Sequence, residues 1–364
     1  MPVNIRTAAL LILGLIFILV VTLFLFILIH SSGKPKPFLD EDDNPIPESI
    51  SEKLYEELNG AKFGLFIKGK DRENPVLLFL HGGLPVYFLT QKYQTGLEEL
   101  FTVAWWDQRG AGLSYNAKNE HKEITIEGLV EDTKEITNYL RDRFSQDKIY
   151  LMGHSGGTYL GIKTIEKYPD LYRAYIGVAQ ISDQKRSEQI AYQYILDKYQ
   201  NGKSKSRLTR QLLENPVLMS EPIPNAYYKI RDYAMHDLGI GTMKEMSNVV
   251  TGLFIPSLLF NEYTLGEKIN LWRGKIESGV SVIWDEIISH DLSKESTNFK
   301  IPVYFLHGKY DYTCSYDLAY DYFSKINAPE KGFYTFEESA HTPILEEPEE
   351  CIRVIRKEIL SNKW

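Results

Sequence analysis

The sequence predicts an α/β fold: a mostly parallel sheet with helices between its strands, one inserted helical cap, and an apolar helix at the amino end. Three observations predict it. From about Ile50 to Ile181, apolar runs of strand length alternate with segments of helical period. The alternation resumes at Lys300, after a stretch (182–299) that reads mostly as helix. Ahead of both, "TAALLILGLIFILVVTLFLFILI", Thr7 to Ile29, contains no charged residue.

As a helix, that apolar run would reach ~34 Å, about the hydrocarbon thickness of a bilayer. A cleaved signal peptide carries an apolar stretch of only about 7 to 15 residues and ends in small residues. Residues 1–30 are therefore expected to form an uncleaved, single-pass membrane anchor. Arg6 flanks one end while Lys34 and Lys36 flank the other, so the positive charges are nearly balanced. A lone amino-terminal span preceded by few residues usually exports the chain behind it, and the remaining residues are expected outside the cytoplasm. Residues 31–50, "SSGKPKPFLDEDDNPIPES" and the Ile after them, are rich in Pro, Ser and acid and read as an extended linker.

The first part of the core, 51–181, takes its strands from "FGLFIKG", "PVLLFLHGG", "FTVAWWDQRG", "KIYLMGHSGG" and "AYIGVAQ". Helices come from "ITIEGLVEDTKEITNYLRDRF" and "TYLGIKTIEKYP". The insertion 182–299 contains many aromatics, among them Tyr192, Tyr227, Trp272 and Trp284, and suits a lid over the mouth of the sheet. The second part of the core, 300–364, supplies "KIPVYFLHGKYD", a helix, "KGFYTFEES", and a last helix from Pro348 to about Ser361.

Composition narrows the function classes. With 364 residues, 43% of them hydrophobic, the chain can bury a sizeable core. Its formal net charge is -8, from 41 Lys and Arg against 49 Asp and Glu, so no basic field attracts nucleic acid. Cys314 and Cys351 have neither the spacing of a zinc site nor that of a disulfide framework. No metal and no cofactor is expected.

The chemistry-bearing stretch is Gly153-His154-Ser155-Gly156-Gly157, a G-x-S-x-G pattern with a strand before it and a helix after it. A turn that sharp strains the serine backbone and brings strand and helix close, so its neighbours must lack bulk. A serine hydroxyl is a weak nucleophile unless a base takes its proton and an acid orients that base. Asp311, after the strand "VYFLHG", and His341, after "FYTFEES", lie at strand ends where both could meet Ser155. An oxyanion would need donors, and Gly83 with Gly156 are the natural pair of backbone N–H groups. His81 and Gly82 support the Gly83 loop, His81 by hydrogen bonds. Asp107 and Arg109 are read as a charged pair bracing the loop beside the site.

Together "LHGGLP", "WWDQRGAGLS", "GHSGG", "HGKYD" and "SAHTPILEEP" resemble the α/β-hydrolase superfamily, and within it the proline iminopeptidase branch of serine aminopeptidases. The resemblance runs over roughly 55–361 apart from the lid. It implies Ser155 as nucleophile, His341 as general base, Asp311 as the acid that orients it, and Gly83 with Gly156 as oxyanion donors. It departs from the family at Leu84, before Pro85, and at His154 beside the nucleophile. The substrate it implies is a short peptide or amino-acid amide cleaved at its amino end, with the free amine held by acidic lid residues. Glu188, Glu221, Glu262, Glu277, Asp285 and Glu286 are candidates by charge. An esterase or lipase acting on lipid-like acyl esters would use the same three residues, and a binding module that has kept the fold without catalysis is a third alternative.

Overall fold

The structure is a computed structural model that describes residues 5–117, 124–202, 206–278 and 282–361. Among the described residues eight strands form one sheet: β1 (Ile50–Leu58), β2 (Ala61–Gly69), β3 (Val76–Leu80), β4 (Thr102–Asp107), β5 (Ile149–His154), β6 (Tyr172–Val178), β7 (Val303–Gly308) and β8 (Lys331–Phe336). Their spatial order is β1-β2-β4-β3-β5-β6-β7-β8. The pairs β1/β2 and β2/β4 are antiparallel, and every pair from β4/β3 to β7/β8 is parallel. The sheet is therefore mostly parallel, and its inner strands are buried along their whole length, as a sheet covered on both faces requires.

The first hairpin is an addition to the sequence expectation, which began its strands at "FGLFIKG". Leu58 pairs with Ala61 across a two-residue turn at Asn59-Gly60, whose φ values are 48° and 69°. An Asn-Gly pair is the favoured sequence for that turn because both positions need positive φ. The signal was in the sequence, but β1 reads as charged because Glu52, Lys53, Glu56 and Glu57 interrupt its apolar residues.

The helices are α1 (Ile5–Ile29), α2 (Ile126–Arg143), α3 (Gly156–Lys167), α4 (Gln184–Asn201), α5 (Ser206–Glu214), α6 (Asn225–Asp237), α7 (Ile255–Leu259), α8 (Leu265–Glu277), α9 (Trp284–Ser289), α10 (Leu292–Glu295), α11 (Tyr316–Lys325), α12 (Pro343–Glu346) and α13 (Pro348–Val354). Their starts are chemically marked. Thr125 accepts from Gly128 N at 3.1 Å ahead of α2, and Asp183 accepts from Arg186 N at 2.9 Å ahead of α4. Thr264 and Glu267 form a capping box on α8. Helices α4 to α10 lie in the chain between β6 and β7, and α4, α5 and α6 bury an apolar cluster of their own around Tyr192, Tyr199, Leu212 and Tyr227.

The apolar window Ala9–Ile29 of α1 is wholly unburied, and its length and composition fit a membrane span and a signal sequence alike. The segment after it does not extend freely as a linker would. Gly33 N donates to Asn261 O at 3.0 Å, Lys36 N to Glu262 Oε1 at 3.1 Å, and Lys68 Nζ to Lys36 O at 2.7 Å. Proline and glycine keep it out of regular structure, so its backbone groups find partners on the cap and on β2 instead.

Candidate active site

The parallel register lines up the strand ends that carry the site. Leu80 of β3 pairs with Gly153 of β5, Gly153 with Gly177 of β6, and Gly308 of β7 with Phe336 of β8. The loops beginning at His81, Ser155, Lys309 and Glu337 thus leave the same edge of the sheet, and Asp311 and His341 lie on the last two.

Ser155 sits between β5 and α3 with φ 56° and ψ -125°, a positive φ that a non-glycine residue adopts only under strain. Packing imposes it. A Cβ on Gly157 would lie 2.2 Å from Leu80 O, one on Gly153 would lie 2.6 Å from Gly157 O, and one on Gly82 would lie 2.7 Å from Ser155 Cβ. Strand, helix and glycine loop therefore approach closer than any side chain would allow. Gly156, the first residue of α3, keeps its N–H outside the helical ladder. Gly83 and Gly156 line the same cleft as Ser155.

Asp311 is fully buried and multiply bonded. Its Oδ1 accepts from Thr313 N at 2.8 Å and Cys314 N at 2.9 Å, and its Oδ2 meets His341 Nδ1 at 2.9 Å and His307 Nε2 at 3.3 Å. Burial alone would raise its pKa, but the His341 charge and the two imidazole bonds outweigh it and hold the carboxyl well below the usual range. With Nδ1–H given to Asp311, the His341 ring keeps its lone pair on Nε2, and His341 lines the cleft beside Ser155. The buried Cys314 thiol donates to Gln184 Oε1 at 3.6 Å, and burial pushes its pKa well up. Ligand atoms of Asp311, Cys314 and His341 all lie within 4.8 Å of one another, the one such trio among the described residues. A metal there would have to displace the Asp311–His341 bond and deprotonate that thiol, so the trio fits an acid–base pair better than an ion.

His81 fixes the glycine loop. Gln108 N donates to its Nε2 at 3.1 Å, which puts the ring proton on Nδ1, where it is donated to Gly82 O at 2.7 Å. Gln108 Nε2 also donates to His81 O at 2.7 Å. Burial pushes the His81 pKa down to about 4, so the ring is neutral. His154 donates from Nε2 to His341 O at 3.1 Å, and burial followed by the His341 charge lowers its pKa to about 3. A departure from the family pattern at 154 thus becomes a brace on the strand-end loop that carries His341.

Asp107 and Arg109 do not pair with each other. Strand β4 ends at Asp107, and the turn closed by Ala111 N to Gln108 O swings Arg109 away. Arg109 reaches Asp132 of α2 in a two-pronged bond, 2.6 Å on each prong. Asp107 instead accepts from Leu113 N at 2.7 Å, and burial pushes its pKa up to about 8. Its carboxylate occupies the place of a Gly112 side chain, whose Cβ would fall 2.1 Å from Asp107 Oδ2. The turn separates the two side chains, and residue spacing carries no trace of it.

The cleft has two lobes, of about 200 and 360 Å³, that share Gly83, Ser155, Arg231, Asp232, Lys275 and Thr313. Of the six acidic residues singled out by charge, only Glu188 lines it. Glu188 is buried and accepts from Arg231 Nε at 2.5 Å, while Arg231 Nη1 meets Asp232 at 2.9 Å. Glu262 is spent elsewhere, on Lys68 and Tyr87, and Glu277 on Tyr115. Sequence reasoning missed Arg231, Asp232 and Lys275. Lys275 Nζ stands 3.0 Å from where a Gly83 Cβ would be, which places a cation over the glycine loop. Nothing local marks these residues, because Glu188 and Arg231 lie on separate helices, α4 and α6.

The sequence profile of the family described as "Serine aminopeptidase, S33" matches residues 73–222. The chain is 33% identical over 309 residues to "Probable aminopeptidase YbaC" of Bacillus subtilis (strain 168), covering 83% of this chain and 95% of that protein. Among solved structures it resembles a proline iminopeptidase-related protein from Thermus thermophilus, with TM-score 0.58 and 17% identity over 86% of this chain and 100% of that one. It also resembles the esterase RhEst1 from Rhodococcus sp. ECU1013, with TM-score 0.54 and 15% identity over 86% of this chain and 99% of that one. At such identities the structural likenesses speak for the fold, which is that of α/β-hydrolases.

Proposed function

The chain belongs to the serine aminopeptidase family of α/β-hydrolases, and from that premise we propose a membrane-anchored serine hydrolase that cleaves short peptides or amino-acid amides at their amino end. The observation that carries this reading is the Ser155 elbow opening into one cleft with His341, whose Nδ1 is bonded to the buried Asp311 carboxylate. The near full-length similarity to a probable aminopeptidase supports the choice of substrate.

In this mechanism His341 Nε2 takes the Ser155 proton as Oγ adds to the substrate carbonyl. The oxyanion so formed is met by the N–H groups of Gly83 and Gly156. Collapse breaks the C–N bond, and the His341 proton leaves with the amine. Water then enters, gives a proton to His341 and its oxygen to the acyl carbon; collapse frees the acid and returns the proton to Ser155. Asp311 stays ionised and holds the ring in the tautomer that can accept. Glu188 and Asp232 are the carboxylates lining the cleft; both bond Arg231, and a substrate ammonium, which cannot leave water without a negative partner, would compete with that guanidinium for Asp232, the more exposed of the two. Anchoring by α1 with the remaining chain outside the cytoplasm completes the reading.

One observation favours the esterase as a second reading: Val249, Leu253 and Trp272 give the smaller lobe an apolar wall. Rates on the full-length protein separate the two. For an aminopeptidase, N-acetylation of a good aminoacyl amide lowers kcat/KM by ~100-fold or more, the loss of one charge-assisted pair. Asp232→Asn should lower the rate on the free amine and spare the acetylated substrate. Equal or faster turnover of the acetylated amide, or of a plain acyl ester, would support the esterase instead.

A further inference from the structure

Helix α8 and the turn of π-helix (Val250–Phe254) that leads into α7 carry an apolar surface that their packing does not cover. Ile269 and Ile276 of α8 are 53% and 79% exposed, and Trp272 lies between them at helical spacing, three and four residues away. Phe254 packs edge-on against Trp272 with ring centroids 5.3 Å apart, and Val250 and Ile255 are exposed beside it. These residues therefore form a continuous apolar patch, of the kind that marks an interaction surface rather than scattered exposure. Its inner side is the cleft wall, because Val249, Leu253 and Trp272 line the lobe that contains Ser155.

The neighbour of that patch is the end of α1. Lys268 Nζ donates to His30 O at 2.6 Å, to Ser31 Oγ at 2.9 Å, and to Leu258 O at 2.6 Å, so one ammonium ties the two residues that follow the apolar helix to α7. Ser32 Oγ donates to Asn261 O at 2.9 Å just beyond. Ile255 is one helical turn from Leu258, about 5 Å along the axis. If α1 spans a bilayer, the patch stands where that bilayer's surface begins.

We propose that the patch formed by Val250, Phe254, Ile255, Ile269 and Ile276 is a second membrane contact, lying in the lipid surface beside the anchor and holding the Trp272 wall of the cleft at that surface. The proposal rests on the membrane-anchoring part of the proposed function. An apolar helical face beside a span lowers its free energy by immersing ~5–10 Å into the boundary between headgroups and acyl chains. The carbonyl-bound Lys268 keeps the cap from turning the patch away from the lipid.

The test uses the full-length protein in phosphatidylcholine–phosphatidylglycerol vesicles, with single Ile255→Cys, Ile276→Cys, Tyr320→Cys and Leu15→Cys variants carrying a fluorophore. The two native cysteines are buried, so the introduced thiol takes the label. Lipid spin-labelled near the carbonyl end of its acyl chains should quench positions 255 and 276, as immersion to that depth implies. Position 320, exposed on α11, should stay bright, and position 15 should be quenched. Quenching at 15 without quenching at 255 and 276 overturns this inference and leaves the anchor standing. No quenching at 15 overturns both. Protection of 255 and 276 that grows with protein density, without lipid quenching, would assign the patch to a second copy of the chain and also overturn it.

Discussion

At Asp311 two backbone amides and two imidazoles compete with full burial for one carboxylate, and the bonds win. A carboxyl whose folded pKa is depressed adds stability above its unfolded value, about 3.9, and loses it as pH falls through the folded one. The group is thus a full charge wherever the enzyme works. Asp311→Asn keeps the size but can present an N–H to His341, which moves the ring proton to Nε2 and leaves no base for Ser155. We expect kcat/KM to fall by about four orders of magnitude while the thermal transition stays cooperative. Wild-type turnover by that variant would remove Asp311 from the mechanism.

The glycine loop after β3 and the loop that carries His341 are held by two histidines that burial keeps neutral, His81 and His154. For a base with a lowered folded pKa, the unfolded chain binds more protons, so stability falls as pH drops. The window opens near the unfolded value of about 6.5 and closes at about 4 for His81 and about 3 for His154. From pH 6.5 to 4 the two histidines should therefore pull the transition temperature down, against an opposite pull from Asp107, whose raised pKa favours the folded protein over that range. His81→Gln keeps an acceptor for Gln108 N and does not titrate, so its decline over the same range should be shallower. Parallel declines in both proteins would mean that His81 is not the proton acceptor. Elements of this kind were legible in the sequence wherever an apolar run ended in glycine: β3, β5 and β7 announce themselves, and with them His81, Ser155 and Asp311, while β8 with His341 after it was legible from its aromatic residues alone. The hairpin β1/β2 was less so, since Glu52, Lys53, Glu56 and Glu57 break up the apolar residues of β1.

Over the whole molecule, two parts meet at one cleft, the sheet edge with Ser155 and His341 and the cap with Arg231, Asp232 and Lys275, while the apolar helix is tied to the cap away from the cleft, through Lys268. The first was readable because parallel register puts successive strand ends side by side. The second was not, because cap residues converge from α4, α6 and α8, whose mutual packing leaves no periodic mark in the sequence. The docking of residues 31–36 on the cap was hidden likewise: a stretch rich in Pro and Gly looks the same whether its amides bond to water or to Asn261 and Glu262. The central claim for the cleft is that Ser155 becomes acylated. The most direct measurement treats the full-length protein with a fluorophosphonate and locates the adduct by mass after digestion. A single adduct on the peptide holding Ser155, absent from Ser155→Ala while that variant melts like wild type, is the expected result; an undiminished adduct in Ser155→Ala would contradict it.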